Sequence, residues 1–176
     1  MADKVKDFVD WLVNSAAGDR AALAALRRGL GQPPGYVPEM LPYMARHVSG
    51  MPEWQERLAY IVAPLFAVHP SNTGEGNMGD HMAALRGAND EALERRFAVL
   101  LAAHPEELDV HLRHVISMLK QNNIPVNWEQ LMRDIGDWGH PDRQARVRRR
   151  WANSFWRSEV TSPIEESGED ENESSN

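Results

Sequence analysis

The sequence contains no cysteine, which excludes disulfide bonds and zinc sites built from thiolate ligands. It also has no apolar run near the ~20 residues that a membrane-spanning helix requires. The opening residues, MADKVKDFVDW, place apolar side chains at helical spacing, unlike the continuous apolar core of a signal peptide. We therefore expect a cytoplasmic protein with no membrane partner.

The sequence also lacks the short motifs that mark many catalytic sites. It has no glycine-rich phosphate loop, no serine–histidine–aspartate arrangement in a recognisable context and no paired-carboxylate motif. We therefore predict no catalytic residue and no cofactor, and an enzymatic function is unsupported by these motifs but not excluded by them.

No stretch has the alternation of apolar and polar residues that is typical of a β-strand. Apolar residues recur instead at three- and four-residue spacing along most of the chain. This pattern predicts an all-α fold with eight or nine helices in two small bundles. We place the first bundle at residues 1–70, a linker loop at 71–79, the second bundle at 80–158 and a disordered acidic tail at 159–176.

Two helices of the predicted N-terminal bundle have recognisable apolar faces. In a short helix near 39–48, we expect Leu41, Met44 and Ala45 to share the buried side. In the longer helix that starts at Pro52, the apolar spacing begins at Trp54, so we expect Trp54 to pack inward.

Charge is unevenly distributed along the chain. The formal net charge is −7, but residues 159–176 hold seven acidic residues and no lysine or arginine. The remaining residues carry 19 acidic and 19 basic side chains, and 16 of the bases are arginine. Arginine suits two-pronged contacts with phosphate or carboxylate groups. A GC-rich genome, which favours arginine codons, is an equally good explanation of this enrichment.

Residues 127–157 read as two helices joined by a corner. Asn127 and Gln130 have the spacing of a reciprocal capping box at the start of the first helix. Gly136 and Gly139 are expected to loosen the corner, and Pro141 is well placed at the first position of the second helix.

The second of these helices has two distinct faces. At about 100° per residue, Val147, Trp151 and Phe155 share an apolar stripe, which predicts an anchor in the core. A basic row about 20 Å long lies beside this stripe, with no acidic residue in the same stretch to neutralise it: Arg143, Arg146, Arg150 and Arg157. Such a row can follow a nucleic-acid backbone. Its rival ligands are an acidic protein surface and this chain's own acidic tail. We expect Trp156, which lies off the stripe, to pack on protein rather than stack on a base.

Arg27 and Arg28 end an earlier predicted helix, just before Gly29. Two cations in a last turn are favourable partners for the helix dipole, which is sufficient to explain them structurally.

His111 and His114 are three residues apart, and Glu107 is four residues before His111, so all three can share one side of a helix. Helical His and carboxylate ligands bind metals with this spacing. No second ligand pair accompanies them, so we predict no metal site. A partly exposed polar face is the simpler interpretation, and a metal-dependent hydrolase using these histidines is the weakest alternative.

Both ends of the chain resemble the CasB family, the small subunit of the type I-E CRISPR surveillance complex Cascade. At the C-terminal end, an apolar-Asn-Trp helix start at 126–128 is followed by Trp138, the corner Gly-His-Pro-Asp-Arg at 139–143, and Arg-Arg-Arg-Trp-Ala-x-x-Phe-Trp at 148–156. At the N-terminal end, Asp-Phe-Val-Asp-Trp-Leu precedes Ala-Leu-Arg-Arg-Gly-Leu-Gly at Ala25–Gly31. The resemblance spans residues 5–158, and the acidic tail lies outside it.

The resemblance implies a helical protein of two small bundles that is not a nuclease. It implies two copies per complex, which contact the large subunit, the crRNA-bearing backbone subunits and each other. A basic surface is implied to hold the target and displaced non-target DNA strands of the R-loop. By position, the family's basic contacts correspond to Arg27, Arg28, Arg113 and Arg143, with His114 where a second base is expected and Glu53 at another basic position.

The sequence therefore leads to a non-catalytic, nucleic-acid-backbone-binding subunit of Cascade. The alternative from another functional class is a helical protein–protein adaptor, whose arginine row binds an acidic partner. Affinity for single-stranded DNA at moderate salt separates the two, because an adaptor should show little of it.

Overall fold

Nine α-helices make up most of residues 3–71, 74–87 and 90–157, which are the residues that the computed structural model describes. The helices are α1 (Lys4–Asn14), α2 (Arg20–Arg27), α3 (Leu41–Val48), α4 (Glu53–Val68), α5 (Met78–Ala83), α6 (Asp90–Ala102), α7 (Leu108–Gln121), α8 (Trp128–Trp138) and α9 (Pro141–Arg157). Two 3-10 turns, Ala16–Gly18 and Pro38–Met40, complete the described secondary structure. The predicted all-α fold is confirmed. The predicted acidic tail at 159–176 lies outside the described residues.

α4 lies at the centre of the molecule and packs against α2, α7 and α8. Its buried side chains, including Val62, Leu65 and Phe66, join those of the other helices in one hydrophobic cluster that extends from Val5 to Phe155. The division at 71–79 into two bundles stays a prediction. No helix within the described ranges is long and apolar enough to span a bilayer.

The predicted buried face of α3 was wrong for two of its three residues. Met44 and Val48 are buried, whereas Leu41 is 42% exposed and Ala45 faces solvent. The 3-10 turn Pro38–Met40 leads directly into α3 and places Met40 in the core, 2% exposed. Met40, Met44 and Val48 are therefore four residues apart on one face, which turns Leu41 outward.

The position of Trp54 also differs from the prediction, because its side chain is 57% exposed near the start of α4. Gly136, which was expected to loosen the corner after α8, lies inside α8 instead. A Cβ atom on Gly136 would lie 2.9 Å from Cδ1 of Leu58 and 3.5 Å from the Trp54 ring. Gly136 thus permits the close approach of α8 to α4.

A second close approach joins α5 to α9. A Cβ atom on Gly79 would lie 1.9 Å from the carbonyl oxygen of Trp151, so no side chain can be accommodated there. The neighbouring Asn77 caps α5 through the Gly79 N–H and donates from Nδ2 to the Ser154 hydroxyl at 2.8 Å. The backbones of the two helices are therefore in contact.

The start of α8 depends on a buried histidine. Oδ1 of Asn127 accepts from the Gln130 N–H at 3.0 Å, as the capping-box spacing predicted. The Asn127 N–H donates to Nε2 of His81 at 3.0 Å, while the Gln130 side chain donates to Asp134. The second bond of the predicted capping box, from the Asn127 N–H to the Gln130 side chain, is thus replaced by a bond to His81 of α5. This bond holds α5 against the start of α8.

The pKa of His81 is lowered to about 4 because burial disfavours the imidazolium, an effect that nearby Asp80 opposes only in part. The ring is 4% exposed. A protonated Nε2 would also point a hydrogen atom at the Asn127 N–H. The folded state therefore requires a neutral His81 whose Nε2 is an acceptor.

We expect the protein to lose stability as the pH falls from about 6.5 to about 4. In this window the unfolded chain binds a proton at His81 and the folded chain does not, so the free energy of unfolding falls by about 1.4 kcal/mol per pH unit, or about 3 kcal/mol in all. Urea unfolding at several pH values measures this slope. His81→Gln, which retains an acceptor, should flatten it, whereas the exposed His104→Gln should not; equal slopes in all three proteins would contradict the assignment.

Candidate nucleic-acid interface

The apolar stripe of α9 is buried as predicted. Val147, Trp151 and Phe155 are each 0% exposed. The Trp151 ring lies 5.0 Å from the Trp138 ring between centroids, and the Phe155 ring stacks on Phe97 at 4.2 Å. α9 is therefore held by α8 on one side and by α6 on the other.

A buried carboxylate fixes the rotation of α9 about its axis. Asp134 of α8 is 1% exposed, and its Oδ2 accepts from the Trp151 indole N–H at 2.6 Å. Its Oδ1 accepts from Gln130 at 2.8 Å and from the guanidinium of Arg150. The pKa of Asp134 is raised because burial disfavours the charge more than these three donors favour it.

The basic row of α9 is partly neutralised from α8, contrary to the expectation from the helix's own sequence. Arg150 pairs with Asp134, and Arg143 lies 3.3 Å from the Asp137 carboxylate. The side chains of Arg150 and Arg143 remain 46% and 42% exposed, so neither guanidinium is withdrawn from solvent. Asp134 and Asp137 are three residues apart on α8 and face the row together.

Arg146 and Arg157 retain free charge on the exposed side of α9. Arg146 is exposed and forms no ion pair or side-chain hydrogen bond with any part of the chain that the structure describes. Arg157 is exposed, and its Nε donates to the Asn153 carbonyl at 3.4 Å, which leaves the charge unpaired within the described ranges. The row thus alternates between tethered and free guanidinium groups.

Arg148 and Trp156 both contact other helices of the protein. Arg148 donates to the Ala103 carbonyl at 3.1 Å, and its guanidinium lies 5.3 Å above the Trp138 ring. Trp156 is 37% exposed and packs at 5.5 Å from Phe97, as expected for contact with protein. Arg149, beside the basic row, is exposed.

Arg27 and Arg28 both have partners at the end of α2. Nε of Arg27 donates to the Ala67 carbonyl at 2.8 Å, which ties α2 to the last turn of α4. Arg28 pairs with Glu39 at 2.5 Å, and its side chain is 63% exposed. Both residues therefore contribute structurally while part of each cation remains accessible.

Two adjoining depressions connect the predicted basic positions across α4. The first is lined by Gln32, Ile61 and Arg113, so Arg113 lies beside the loop that follows Arg28. The second is lined by Ile61, Arg57 and His140, and it reaches the corner before Arg143. Both depressions contain Ile61, so Arg113 and Arg57 border adjoining surface that reaches the corner before Arg143. We group these cations with the first three arginines of the basic row, which begins at this corner, and call the group the arginine track: Arg113, Arg57, Arg143, Arg146 and Arg150.

Arg57 is the member of this track that the sequence did not identify. It is exposed on α4 and forms no ion pair with the residues that the structure describes. The available signal was its place four residues before Ile61, at the exposed edge of the apolar face of α4. A single helical face gives no indication that α7 and the corner before α9 flank Arg57 in space.

His111 and His114 lie in a groove between α6 and α7. Among the described residues, no three His, Cys, Asp or Glu side chains come close enough together to hold a metal ion. The arrangement of the two histidines beside Val99 and Val115 is that of a partly apolar surface groove.

Residues 22–156 match the family model described as CRISPR-associated protein Cse2. The chain belongs to this family. The "CRISPR-associated protein Cse2" of Thermus thermophilus is 29% identical over 157 residues, which cover 85% of this chain and 88% of that protein.

Solved structures extend the comparison with the Cse2 family to the fold. The crystal structure of CasB from Thermus thermophilus has a TM-score of 0.73 and 26% identity, and covers 89% of this chain and 99% of its own. A chain from a structure described as a CRISPR RNA-guided surveillance complex has a TM-score of 0.76 and 26% identity, covering 90% of this chain and 94% of its own. The resemblance to CasB found in the sequence is confirmed.

We expect Asp134→Ala to destabilise the protein by about 2–4 kcal/mol, because it leaves the buried Trp151 N–H without an acceptor. Asp137→Ala is the matched control: it removes a carboxylate from the same helix with the same kind of partner, but from an exposed ion pair worth below about 1 kcal/mol. Urea unfolding measures both. Equal losses would show that the Asp134 bonds do not secure α9.

Proposed function

We propose that this Cse2-family chain is a non-catalytic subunit of type I-E Cascade that binds nucleic-acid backbone and stabilises the R-loop. The proposal rests on family membership and on the similarity to a chain from a CRISPR RNA-guided surveillance complex. The proposed partners are the large subunit, the backbone subunits, a second copy of the chain, the crRNA, and the target and non-target DNA strands. Its setting would be the cytoplasm, in antiviral defence.

The observation that carries the proposal is the arginine track. Arg57, Arg113 and Arg146 are exposed, and Arg143 and Arg150 keep nearly half of their side-chain surface accessible. Phosphate contacts of this kind give affinity without sequence preference. A guide-directed complex needs that property, because base pairing with the crRNA already reads the sequence.

The energetic demand on this surface is small. Replacing a DNA duplex with an RNA–DNA hybrid is nearly balanced in free energy, as in another RNA-guided effector. Contacts between protein and nucleic-acid backbone can therefore decide whether the open state persists. Asp137 and Asp134 pair with Arg143 and Arg150, and Arg146 between them has no ion pair with the described residues. The displaced non-target strand is the ligand to which we assign the track.

We expect the triple variant Arg57→Ala, Arg113→Ala, Arg146→Ala to weaken binding to single-stranded DNA. Each lost phosphate contact should reduce the slope of log affinity against log salt by about 0.7, so the triple variant should lose about 2 from that slope. The matched control, Arg20→Ala, Arg46→Ala, Lys120→Ala, removes the same charge from exposed positions outside the track.

Equal slopes of log affinity against log salt in the two triple variants would refute the role of the arginine track in DNA binding. Weak DNA binding by the unsubstituted chain at moderate salt would instead favour the protein–protein adaptor, because the arginines would then serve an acidic partner.

A second triple variant tests the positions suggested by the family resemblance. Replacing Arg27, Arg28 and Arg143 by Ala should shorten R-loop lifetime without preventing assembly of the complex, because each side chain is partly exposed. R-loop lifetime is measured at physiological salt, with co-purification of the other subunits as the assembly control. An unchanged lifetime would refute the role of these three residues.

A further inference from the structure

A groove of about 500 Å³ lies between α6 and α7, at the edge of the core and away from the cations of the arginine track. Val99, Leu100 and Val115 provide apolar surface in it, and Val99 is 53% exposed. Two cations, Arg95 and Arg96, border this apolar surface together with the polar ring of His114. The groove suits a ligand that combines an aliphatic side chain with several carboxylates.

The described chain ends against α6, the helix that forms one wall of this groove. Phe155 and Trp156, in the last turn of α9, pack against Phe97 with ring centroids 4.2 and 5.5 Å apart. Phe97 follows Arg96 on α6, so the chain leaves α9 against the helix that forms one wall of the groove. Six extended residues span about 20 Å, more than the diameter of about 10–12 Å of the helix to be crossed.

The residues that follow have the matching composition. Residues 158–162 contain the sequence SEVTS, and then Pro163 and Ile164 precede Glu165 and Glu166. Further carboxylates follow through Glu173, and no lysine or arginine occurs in this stretch. An aliphatic residue followed by two carboxylates complements an apolar floor bordered by arginines.

We propose that the acidic segment 163–173 binds in the α6–α7 groove of the same chain, with Ile164 against the apolar floor and the carboxylates against Arg95 and Arg96. Arg95 already pairs with Glu91 at 2.6 Å, but both side chains are largely exposed, so this pair is weak and exchangeable. The basic row of α9 is the less suitable site, because Asp137 and Asp134 already occupy two of its four arginines. The inference is independent of nucleic-acid binding.

The absence of cysteine permits a direct test on the full chain. A nitroxide spin label attached through Ser167→Cys should broaden the amide NMR signals of residues 95–100 and 111–118 by more than half. Signals of α1 and α3 should be unchanged. Adding Arg95→Glu and Arg96→Glu should abolish the broadening, whereas Arg20→Glu and Arg46→Glu, which change the net charge equally, should preserve it.

Two results would overturn the proposal: broadening spread evenly over the surface, or broadening concentrated at residues 143–157, which would place the segment on the basic row. Glu165→Lys with Glu166→Lys provides a second variant that leaves the described helices unaltered. It should also abolish the effect, and retained broadening in that variant would count against the groove. Because the samples contain no nucleic acid, failure here is distinguishable from failure of the proposed R-loop function.

Discussion

One buried carboxylate determines how α9 is presented. Asp134 accepts a hydrogen bond from the Trp151 indole N–H and forms an ion pair with Arg150. Trp151 and Arg150 are adjacent in sequence and lie on neighbouring faces of α9. The first bond turns the apolar stripe inward, and the second holds an arginine at the edge of the exposed row. A carboxylate with three donors but little contact with water is costly to bury. The helix orientation is therefore specified by polar bonds as well as by hydrophobic packing.

The same arrangement explains how a row of like charges can exist on a stable helix. Arg143, Arg146 and Arg150 are three or four residues apart, a spacing at which like charges repel. Asp137 and Asp134 on α8 relieve this repulsion at two of the three positions while each guanidinium remains partly exposed. Pairing also restricts the rotamers of long side chains, which reduces the entropy that a later ligand would have to remove.

The spacing of apolar residues in the sequence was sufficient to predict the helical fold and the buried stripe of α9, because both depend on residues within one helix. Prediction failed where residues from distant parts of the chain determine a side chain's partners. The donor to His81 comes from α8, the carboxylates that meet the basic row come from another helix, and Arg57 joins the track only through the packing of α4 beside α7. The face of α3 was misjudged for a local reason, since a 3-10 turn before it changes the rotation at which the α-helix begins. The positions of the individual basic residues are thus visible in the sequence, but their pairing and their common surface are not.

The contact between Gly79 and the Trp151 carbonyl bears on where the cations of α9 lie relative to α5. Because a helix rises 1.5 Å and turns about 100° per residue, shifting α9 by one residue would return its backbone to equivalent positions, so the contact with Gly79 sets only how closely the two helices cross. The register of α9 is set by its buried side chains, because such a shift would carry the Trp151 indole away from Asp134. The spacing between successive guanidinium groups then follows from the helix geometry. A polyanion lying along α9 would therefore meet its cations at fixed but unequal intervals, measured from the crossing with α5.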